Sequence, residues 1–342
     1  MVFAVRLRVG GVELGSRDKV FGELRVSRFS FGGDVVVPFV AVTGGREGPV
    51  LYVGAGSHGD EVTSVLVALR IGRDLGPDDV DRGAVVIVPV HNPVAVLGKR
   101  RWGFVDNLDM NRVWPGDSSG GLSELVARRV FEEFVSRSHY VVDLHTAASD
   151  GENVIHAIVP PEGVFRRREG DRFAAVSDNS FELARYFGVG FVARSRLRDE
   201  RERKYYQHVF GQLHVVAAMH GAPSIVVELG EGGRVSSSAF RAGYDGVLNV
   251  GRYLGVLRGE AAEPSEPIVL GGEPRAVRAP RGGIVEVKVG VGERVSRGDV
   301  VAYLYTLWDL VEVESPVDGY VVRVRRYGVV EPGERIVVVM GE

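Results

Sequence analysis

The chain has 342 residues, of which 45% are hydrophobic and 25% charged, and its formal net charge at pH 7 is -3. This composition is that of a folded chain with room for one large core and a smaller second domain. The near-neutral charge gives no electrostatic basis for binding nucleic acid or an anionic membrane, and no apolar run reaches the roughly 20 residues that span a bilayer. The absence of cysteine excludes disulfides, thiolate metal ligands and cysteine nucleophiles.

The first 45 residues alternate apolar and polar side chains, most clearly at 23–29 and 35–40. Alternation with a period of two predicts antiparallel strands, and we expect these strands to lead into the main sheet. Residues 1–7 follow the same pattern and lack the long apolar core of a signal peptide. We therefore expect a cytoplasmic protein.

A short motif follows the next apolar run, at 50–53. Glycines after this run allow sharp turns, and His58 and Glu61 then stand three positions apart. An imidazole and a carboxylate at this spacing, at the start of a helix, project to one side and can bind one divalent metal ion. The motif alone is weak evidence, because the same residues also suit a polar helix start capped by Ser57.

Strands and helices alternate through the rest of the first 257 residues. One helix is predicted from position 62, with Val62, Val65, Leu66 and Leu69 on its apolar face, and another over 122–136. Apolar runs bounded by turns predict buried strands at 84–90, 140–145 and 224–230. This alternation predicts an α/β fold, a three-layer α/β/α domain with a mixed, largely parallel sheet.

Polar side chains stand where three of the predicted strands end. His58 and Glu61 follow the apolar run at 50–53, His145 ends the strand at 140–145, and Glu228 closes the strand that begins at 224. Ligands and chemistry collect at the carboxyl ends of strands in such sheets. Two histidines and one glutamate with an open fourth position form a catalytic zinc set, which leaves Glu228 free to act as a base.

The segment 100–116 is polar and rich in arginine within an otherwise apolar domain. It can be a solvated loop. Alternatively, Asn111 and Arg112 offer an amide and a bidentate guanidinium, which together suit a substrate carboxylate.

These motifs occur in the order His58-x-x-Glu61, Asp109-x-Asn111-Arg112, Asp143-Leu144-His145 and Glu228. The ordered set resembles the succinylglutamate desuccinylase/aspartoacylase family, relatives of the zinc carboxypeptidases, over residues 45–255. The resemblance implies a zinc-carboxypeptidase-like fold and one zinc ion per chain, held by His58, Glu61 and His145. It further implies that Glu228 is the general base and that Asn111 and Arg112 bind a substrate carboxylate. By the same resemblance, Arg101 stabilises the oxyanion and Asp109 orients His58.

Members of this family hydrolyse the amide bond of a small N-acyl amino acid or a related amide. The resemblance therefore implies a zinc-dependent amidohydrolase, or deacylase, acting on a small-molecule substrate through activated water. Two alternatives stay open: a metallocarboxypeptidase that acts on peptides, and a catalytically silent metal-binding protein. The chain has no Gly-x-Ser-x-Gly elbow and no phosphate loop, so serine hydrolase and nucleotide-binding functions are poor alternatives.

The composition changes after residue 257. We predict a hydrolase domain at 1–257, a polar linker with prolines at 258–270, and an all-β domain at 271–342. The last domain repeats internally, since residues 279–285 match 315–321 at an offset of 36. It resembles a biotinyl/lipoyl domain, but the hairpin tip at 306–310 has no carrier lysine and the domain's one lysine is Lys288. We expect a structural module that packs beside the hydrolase domain.

The remaining histidines have no partner at ligand spacing and are predicted to be structural or at the surface, with His91 as the substitute if an assigned ligand fails. The basic residues at 166–168 and 194–204 are interpreted as solvated loop and helix faces. We expect neither nucleic acid nor membrane as a partner. An exposed sheet edge in either domain is compatible with a homo-oligomer.

Overall fold

The computed structural model describes residues 6–162, 166–169, 172–194 and 210–342, with 166–169 and 172–175 as backbone only. The strands are β1 (Leu7–Val9), β2 (Val12–Leu14), β3 (Lys19–Arg28), β4 (Asp34–Thr43), β5 (Arg46–Ala55), β6 (Arg82–Val88), β7 (Tyr140–His145), β8 (Gly151–Asn153), β9 (His156–Ile158), β10 (Arg166–Glu169), β11 (Arg172–Ala175), β12 (Phe191–Ala193), β13 (Ser224–Glu228), β14 (Ile268–Leu270), β15 (Arg275–Arg278), β16 (Gly283–Val287), β17 (Arg294–Val295), β18 (Val300–Tyr305), β19 (Leu310–Glu314), β20 (Gly319–Arg325), β21 (Val329–Val330) and β22 (Arg335–Met340). The helices are α1 (Val62–Asp74), α2 (Pro93–Gly98), α3 (Leu122–Glu133), α4 (Val176–Phe187), α5 (Leu213–Met219) and α6 (Ser237–Tyr253), with 3₁₀ turns at Met110–Arg112 and Val135–Arg137.

Nine strands form the central sheet, in the order β14-β12-β9-β13-β7-β5-β6-β4-β3. Its centre is parallel, since β13 pairs with β7, β7 with β5, and β5 with β6. The antiparallel pairs are β13 with β9 on one side and β6 with β4 and β4 with β3 on the other. The predicted mixed, largely parallel sheet is confirmed, and so are the antiparallel N-terminal strands that lead into it.

Both faces of this sheet are buried. Along β5, Leu51, Val53 and Ala55 enter a core that also contains apolar residues of α1, α4 and α6. Val50 and Tyr52 of the same strand point into a second core that contains residues of α3 and α5. Side chains alternate across a strand, so one apolar run supplies both cores and the domain has the three predicted layers.

Helix α1 forms where it is predicted, but its predicted buried face is wrong. The buried positions include Thr63, Ser64 and Val67, whereas Leu69 is 49% exposed. The two small polar residues tolerate burial because both hydroxyls bond backbone oxygens, Thr63 that of Arg234 and Ser64 that of Glu61. Apolar spacing alone therefore selected the wrong side of the helix.

The C-terminal residues form the all-β unit that the sequence predicts. One four-stranded sheet, β19-β18-β16-β21, faces the strands β15-β22-β20-β17 across a core of mainly valine side chains. The hairpin tip at 306–310 is exposed, with Leu307 at 84% and Trp308 at 85%. The tip itself contains no lysine. The one lysine of this unit, Lys288, lies elsewhere at the surface and pairs with Glu286.

This unit is joined to the central domain by strand pairing. Strand β20 pairs with β8 of the central domain, and β14, within the predicted linker, adds to the central sheet beside β12. A shared apolar cluster of Ala193, Leu270, Val322, Val338 and Met340 lies between the two units. The division into 1–257, 258–270 and 271–342 remains our proposal.

The basic segment at 166–168 is not loop or helix, because it belongs to β10, which pairs with β11. The prediction for 195–204, and the one for His208, lie outside the described residues. Within the described ranges, no helix combines the length and the apolar character needed to cross a membrane.

Candidate active site

Three adjacent strands of the central sheet carry the candidate site at their carboxyl ends. Strand β7 lies between β5 and β13, and its last residue, His145, pairs directly with Glu228 of β13. The turn after β5 places His58 and Glu61 beside them. The sheet thus brings together residues that are up to 170 positions apart in sequence, Glu228 and His58 being the extremes.

The turn between β5 and α1 is packed tightly against the next polar segment. A Cβ atom on Gly59 would lie 1.9 Å from the carbonyl oxygen of Ala95, so only glycine fits there. The amide of Gly59 donates to the carbonyl of Arg100 at 3.0 Å. This turn therefore fixes His58 and Glu61 relative to the backbone that carries Arg101.

His58, Glu61 and His145 form a buried cluster whose candidate ligand atoms all lie within 4.8 Å of one another. Glu61 Oε1 is 2.5 Å from His58 Nδ1, and Glu61 Oε2 is 2.8 Å from His145 Nδ1. The amide of Thr146 donates to the same Oε2 at 3.2 Å. Both imidazoles therefore direct the same nitrogen, Nδ1, towards the carboxylate.

The other nitrogen of each imidazole meets a carboxylate of its own. His58 Nε2 is 3.0 Å from Asp109 Oδ1, and His145 Nε2 is 3.0 Å from Asp143 Oδ2. A carboxylate on the far nitrogen is the usual outer partner of a metal-bound histidine, because it fixes the ring and raises its basicity. The predicted contact between Asp109 and His58 is present.

The charges around the cluster favour a cation. Burial lowers the pKa of His145, but Asp143 and Glu61 outweigh it and hold that pKa well above its usual range. Burial raises the pKa of Glu61, but His58 and His145 outweigh it and keep the carboxylate ionised. The charges that favour a proton on these imidazoles would also favour a divalent cation in place of that proton. This donor set of two Nδ1 atoms and a carboxylate fits zinc.

Arg101 lies at the edge of this cluster. Its Nε and Nη2 atoms donate to Asp109 Oδ2 at 3.1 and 2.9 Å, and its Nη1 atom is 3.8 Å from Glu61 Oε1. The Asp109 carboxylate therefore holds both Arg101 and His58. The guanidinium keeps one donor, Nη1, directed at the cluster.

The two residues of the predicted carboxylate-binding pair, Asn111 and Arg112, have different surroundings. The Asn111 side chain is buried, where its Oδ1 accepts from the Leu213 amide at 3.1 Å and its Nδ2 lies 3.5 Å from His145 Nε2. Arg112 is exposed, and its Nη1 donates to the Asn111 carbonyl at 2.6 Å. Arg112 therefore keeps guanidinium donors available, whereas Asn111 already has contacts within the protein.

Glu228 opens onto a cavity of about 240 Å³. Its Oε2 accepts from Asn153 Nδ2 at 2.8 Å. The cavity is lined by Asn153, His156, Ile158, Val159, Ala193, Gln212, His214 and Glu228 of the central domain, and by Pro274, Val322, Arg323, Arg335, Val338 and Met340. The C-terminal unit therefore forms part of the wall beside the candidate base.

Several of these residues were not found from the sequence. Asn153, Arg323 and Arg335 carry no motif, and His214 was grouped with the structural histidines. His91, the substitute ligand, lies outside the cluster, since its ring bonds Tyr52 and Ser57. Burial lowers the pKa of His91 to about 4.

Residues 47–254 match the succinylglutamate desuccinylase/aspartoacylase catalytic domain family. N-alpha-acetyl-L-2,4-diaminobutyric acid deacetylase from Halomonas elongata is 27% identical over 314 residues, covering 90% of this chain and 86% of that protein. A succinylglutamate desuccinylase/aspartoacylase structure from Rhodobacter sphaeroides has a TM-score of 0.78 at 25% identity, with 95% and 94% of the two chains covered. The product-bound ectoine utilization protein EutE (DoeB) from Ruegeria pomeroyi has a TM-score of 0.82 at 21% identity, with 99% of each chain covered.

The fold and the residues at its strand ends define an α/β protein with a candidate metal site at the carboxyl edge of its central sheet. Within that class, the chain belongs to the succinylglutamate desuccinylase/aspartoacylase family. Membership supports a hydrolase that acts on amide bonds.

Proposed function

We propose that this protein is a zinc-dependent deacylase that hydrolyses the amide bond of a small N-acyl amino acid. The observation that carries the proposal is the buried cluster of His58, Glu61 and His145, with Glu228 paired directly to His145 on the next strand. The Halomonas relative is named for the removal of an acetyl group from an amino acid, which is a reaction of this type. We further propose that the enzyme acts in the cytoplasm.

His58, Glu61 and His145 would hold one zinc ion through two Nδ1 atoms and a carboxylate. When bound, such an ion supplies a Lewis acid and lowers the pKa of water towards about 7. Asp109 and Asp143 hold the rings through their Nε2 atoms, so each Nδ1 stays directed at the common centre.

Glu228 is suited to the role of general base. Asn153 holds its Oε2, while its Oε1 has no hydrogen-bond partner among the residues that the structure describes. We infer that Oε1 takes a proton from the attacking water and returns it to the leaving nitrogen. Since Glu228 pairs with His145, its backbone lies next to that of a candidate ligand at the carboxyl edge of the sheet.

Two arginines are available for the charges of the substrate. Arg101 is anchored by Asp109 next to the cluster, where its Nη1 donor can stabilise the negative oxygen that develops on the carbonyl. The exposed guanidinium of Arg112 can take the α-carboxylate, and Asn111 positions this segment through its bond to Leu213.

The test is elemental analysis of the purified protein, combined with hydrolysis of a panel of N-acyl amino acids and blocked dipeptides. We expect about one zinc per chain, as in other sites with three protein ligands. Hydrolysis of N-acyl amino acids should stop with a chelator and return with added zinc. Preferential cleavage of blocked dipeptides would instead establish the carboxypeptidase alternative. Bound zinc without turnover on any substrate would establish a silent metal-binding protein.

A further inference from the structure

The side of helix α1 that its sequence pattern predicts to be apolar stays open to solvent in the folded chain. On this side Leu66 is only half-buried and Leu69 is 49% exposed, whereas Val67 and Ala68 face the core. The apolar side of a helix normally packs against another part of the structure. The fold of one chain therefore accounts for only one of the two apolar sides of α1.

The open side of α1 borders the edge of the central sheet. Leu66 and Leu69 line a surface groove with Pro38, Val40 and Phe21, which we call the edge groove. Phe21 belongs to β3 and is 67% exposed. Large apolar side chains that gather on one surface commonly form an interaction site. The edge groove is therefore a candidate docking surface.

Strand β3 also offers a free backbone edge beside this groove. It is the last strand of the nine-stranded sheet, and within the described ranges β4 is the strand that pairs with it. The register of this pair is regular from Lys19 to Arg25 and shifts between Arg25 and Ser27. An unpaired edge presents N–H and C=O groups that another strand can bond. Residues 19–25 are thus the part of β3 suited to further pairing.

The side chains of β3 suit an antiparallel copy of the same strand. Lys19, Phe21 and Glu23 lie on one face, because side chains alternate along a strand, and Leu24 is buried on the other. In a pair related by a two-fold axis at Phe21, residue 19 of each copy faces residue 23 of the other. Each Lys19 would meet a Glu23, and the two Phe21 rings would meet each other. Glu23 is exposed and forms no ion pair in the part of the chain that the structure describes.

Neighbouring registers fit less well. An axis at Gly22 would place Lys19 opposite Arg25, and an axis at Glu23 would place two carboxylates opposite each other. An axis at Leu24 would pair Glu23 with Arg25, but it would extend the pairing across the register shift after Arg25. Among these four registers, the one centred on Phe21 combines opposite charges with a regular strand.

We propose that two copies of this chain associate through their β3 strands, in the antiparallel register centred on Phe21. The two central sheets would form one continuous sheet, and the two edge grooves would meet across the axis and cover Leu66 and Leu69. Such an interface is closed, because each copy contributes the same surface. Strands β6 and β4 lie between β3 and the nearest strand of the candidate site, β5, so this association is independent of the proposed function.

The first test measures association by sedimentation equilibrium for the wild type, Phe21→Glu and the control Phe31→Glu. Phe31 is 80% exposed in the turn between β3 and β4 and does not line the edge groove. We expect a wild-type dimer at micromolar concentration, a dissociation constant raised at least about 30-fold in Phe21→Glu, and a change within about threefold in Phe31→Glu. A monomeric wild type would overturn the proposal and leave the groove to a different partner. A dimer that responds equally to both substitutions would also overturn it.

A charge exchange tests the register. Glu23→Lys would place two lysines opposite each other at both ends of the pairing, so we expect association to weaken about tenfold. Adding Lys19→Glu should restore the opposite charges and bring the dissociation constant back to within about threefold of the wild type. Lys19 also donates to the carbonyls of Arg73 and Leu75 at the end of α1, so circular dichroism must first show that each variant is folded. If folded Glu23→Lys associates normally, or the double variant shows no recovery, the register is wrong.

A cross-link locates the axis directly. The chain has no cysteine, so Phe21→Cys introduces a single thiol that would face its own copy. Opposite residues of antiparallel strands have Cα atoms about 4.5–5.5 Å apart, which is within the range of a disulfide. Under mild oxidation we expect a disulfide-linked dimer for Phe21→Cys and a monomer for Phe31→Cys on a non-reducing gel. Failure of Phe21→Cys to cross-link, or equal cross-linking of both variants, would contradict an axis at Phe21.

Discussion

Glu61 is the residue on which the candidate metal site converges. Its two oxygens separately contact His58 and His145, and a backbone amide supports one of them. Three carboxylates, those of Glu61, Asp109 and Asp143, surround the two imidazoles. Arg101 balances part of this charge through Asp109. The site therefore holds a local excess of negative charge, which a divalent cation would neutralise.

The roles of the ligands and the base can be separated by two substitutions. Glu228→Gln keeps the size of the side chain and its bond to Asn153 but cannot accept a proton. We expect about one zinc per chain and a fall in kcat of about 10²- to 10⁴-fold, the usual contribution of a general base. His145→Ala removes a ligand, so we expect it to lose both zinc and activity.

The matched control for Glu228→Gln is Glu231→Gln, three residues further along, where the carboxylate pairs with Arg234. We expect this variant to keep both its zinc and its activity. Normal turnover in Glu228→Gln would mean that another group is the base. Full zinc occupancy in His145→Ala would remove this histidine from the ligand set.

The closeness of His58, Glu61 and His145 could be predicted because each stands at the end of an apolar strand or in the turn after it, and strand ends of a parallel sheet meet at one edge. Asn153 and Arg335 could not be predicted in this way. Their positions near Glu228 depend on the pairing of β8 with β20, which are about 170 residues apart in sequence. No local pattern encodes this pairing. His214 was predicted to be structural or at the surface, and only the folded structure shows that it also lines this cavity.

Among the elements, the turn from β5 to α1 has a strict steric requirement. The Cβ of Gly59→Ala would meet the backbone of α2 at Ala95, which cannot move aside as a flexible side chain could. We expect the free energy of unfolding to fall by about 1–3 kcal/mol, as for other overpacked sites. Zinc affinity should also weaken, because the same turn positions His58 and Glu61. Chemical denaturation and zinc titration measure the two effects.

Gly76→Ala is the control for this substitution. A Cβ there would be 3.6 Å from the nearest atom, an oxygen of the flexible Asp79 side chain. We expect its stability to change by no more than about 0.5 kcal/mol and its zinc affinity to match the wild type. If Gly59→Ala behaved like this control, the turn would not hold the ligands as described.

The helix that follows this turn shows what sequence periodicity can and cannot give. The extent of α1 follows from its pattern and from the turn residues at both ends. Its orientation does not, because two of its faces are partly apolar. Leu66 and Leu69 border a surface groove beside the edge strand β3, while Val67 and Ala68 face the core. Packing against β5 and α6 decides between the faces, and a single helix contains no information on those neighbours.

At the scale of the whole molecule, the two units share a strand pairing and an apolar cluster. Strand β8 pairs with β20, and the apolar cluster between the units draws on Ala193 and Leu270 from one side and Val322 from the other. Asn153, which holds the candidate base, is part of the shared pairing. The C-terminal unit therefore supports the site as well as closing it.

This dependence predicts the behaviour of a chain cut after residue 270. Removal of β20 would leave the edge of β8 unpaired and expose Ala193 and Leu270, which are buried in the full chain. Exposed strand edges and apolar patches promote aggregation, so we expect the shortened chain to aggregate or to unfold at a lower temperature. Its soluble fraction should have lost most deacylase activity even with zinc bound, because Asn153 would no longer be held. Size-exclusion chromatography, thermal unfolding and zinc analysis of both chains test this. A non-aggregating, zinc-bound and fully active shortened chain would show that the C-terminal unit is dispensable for the site.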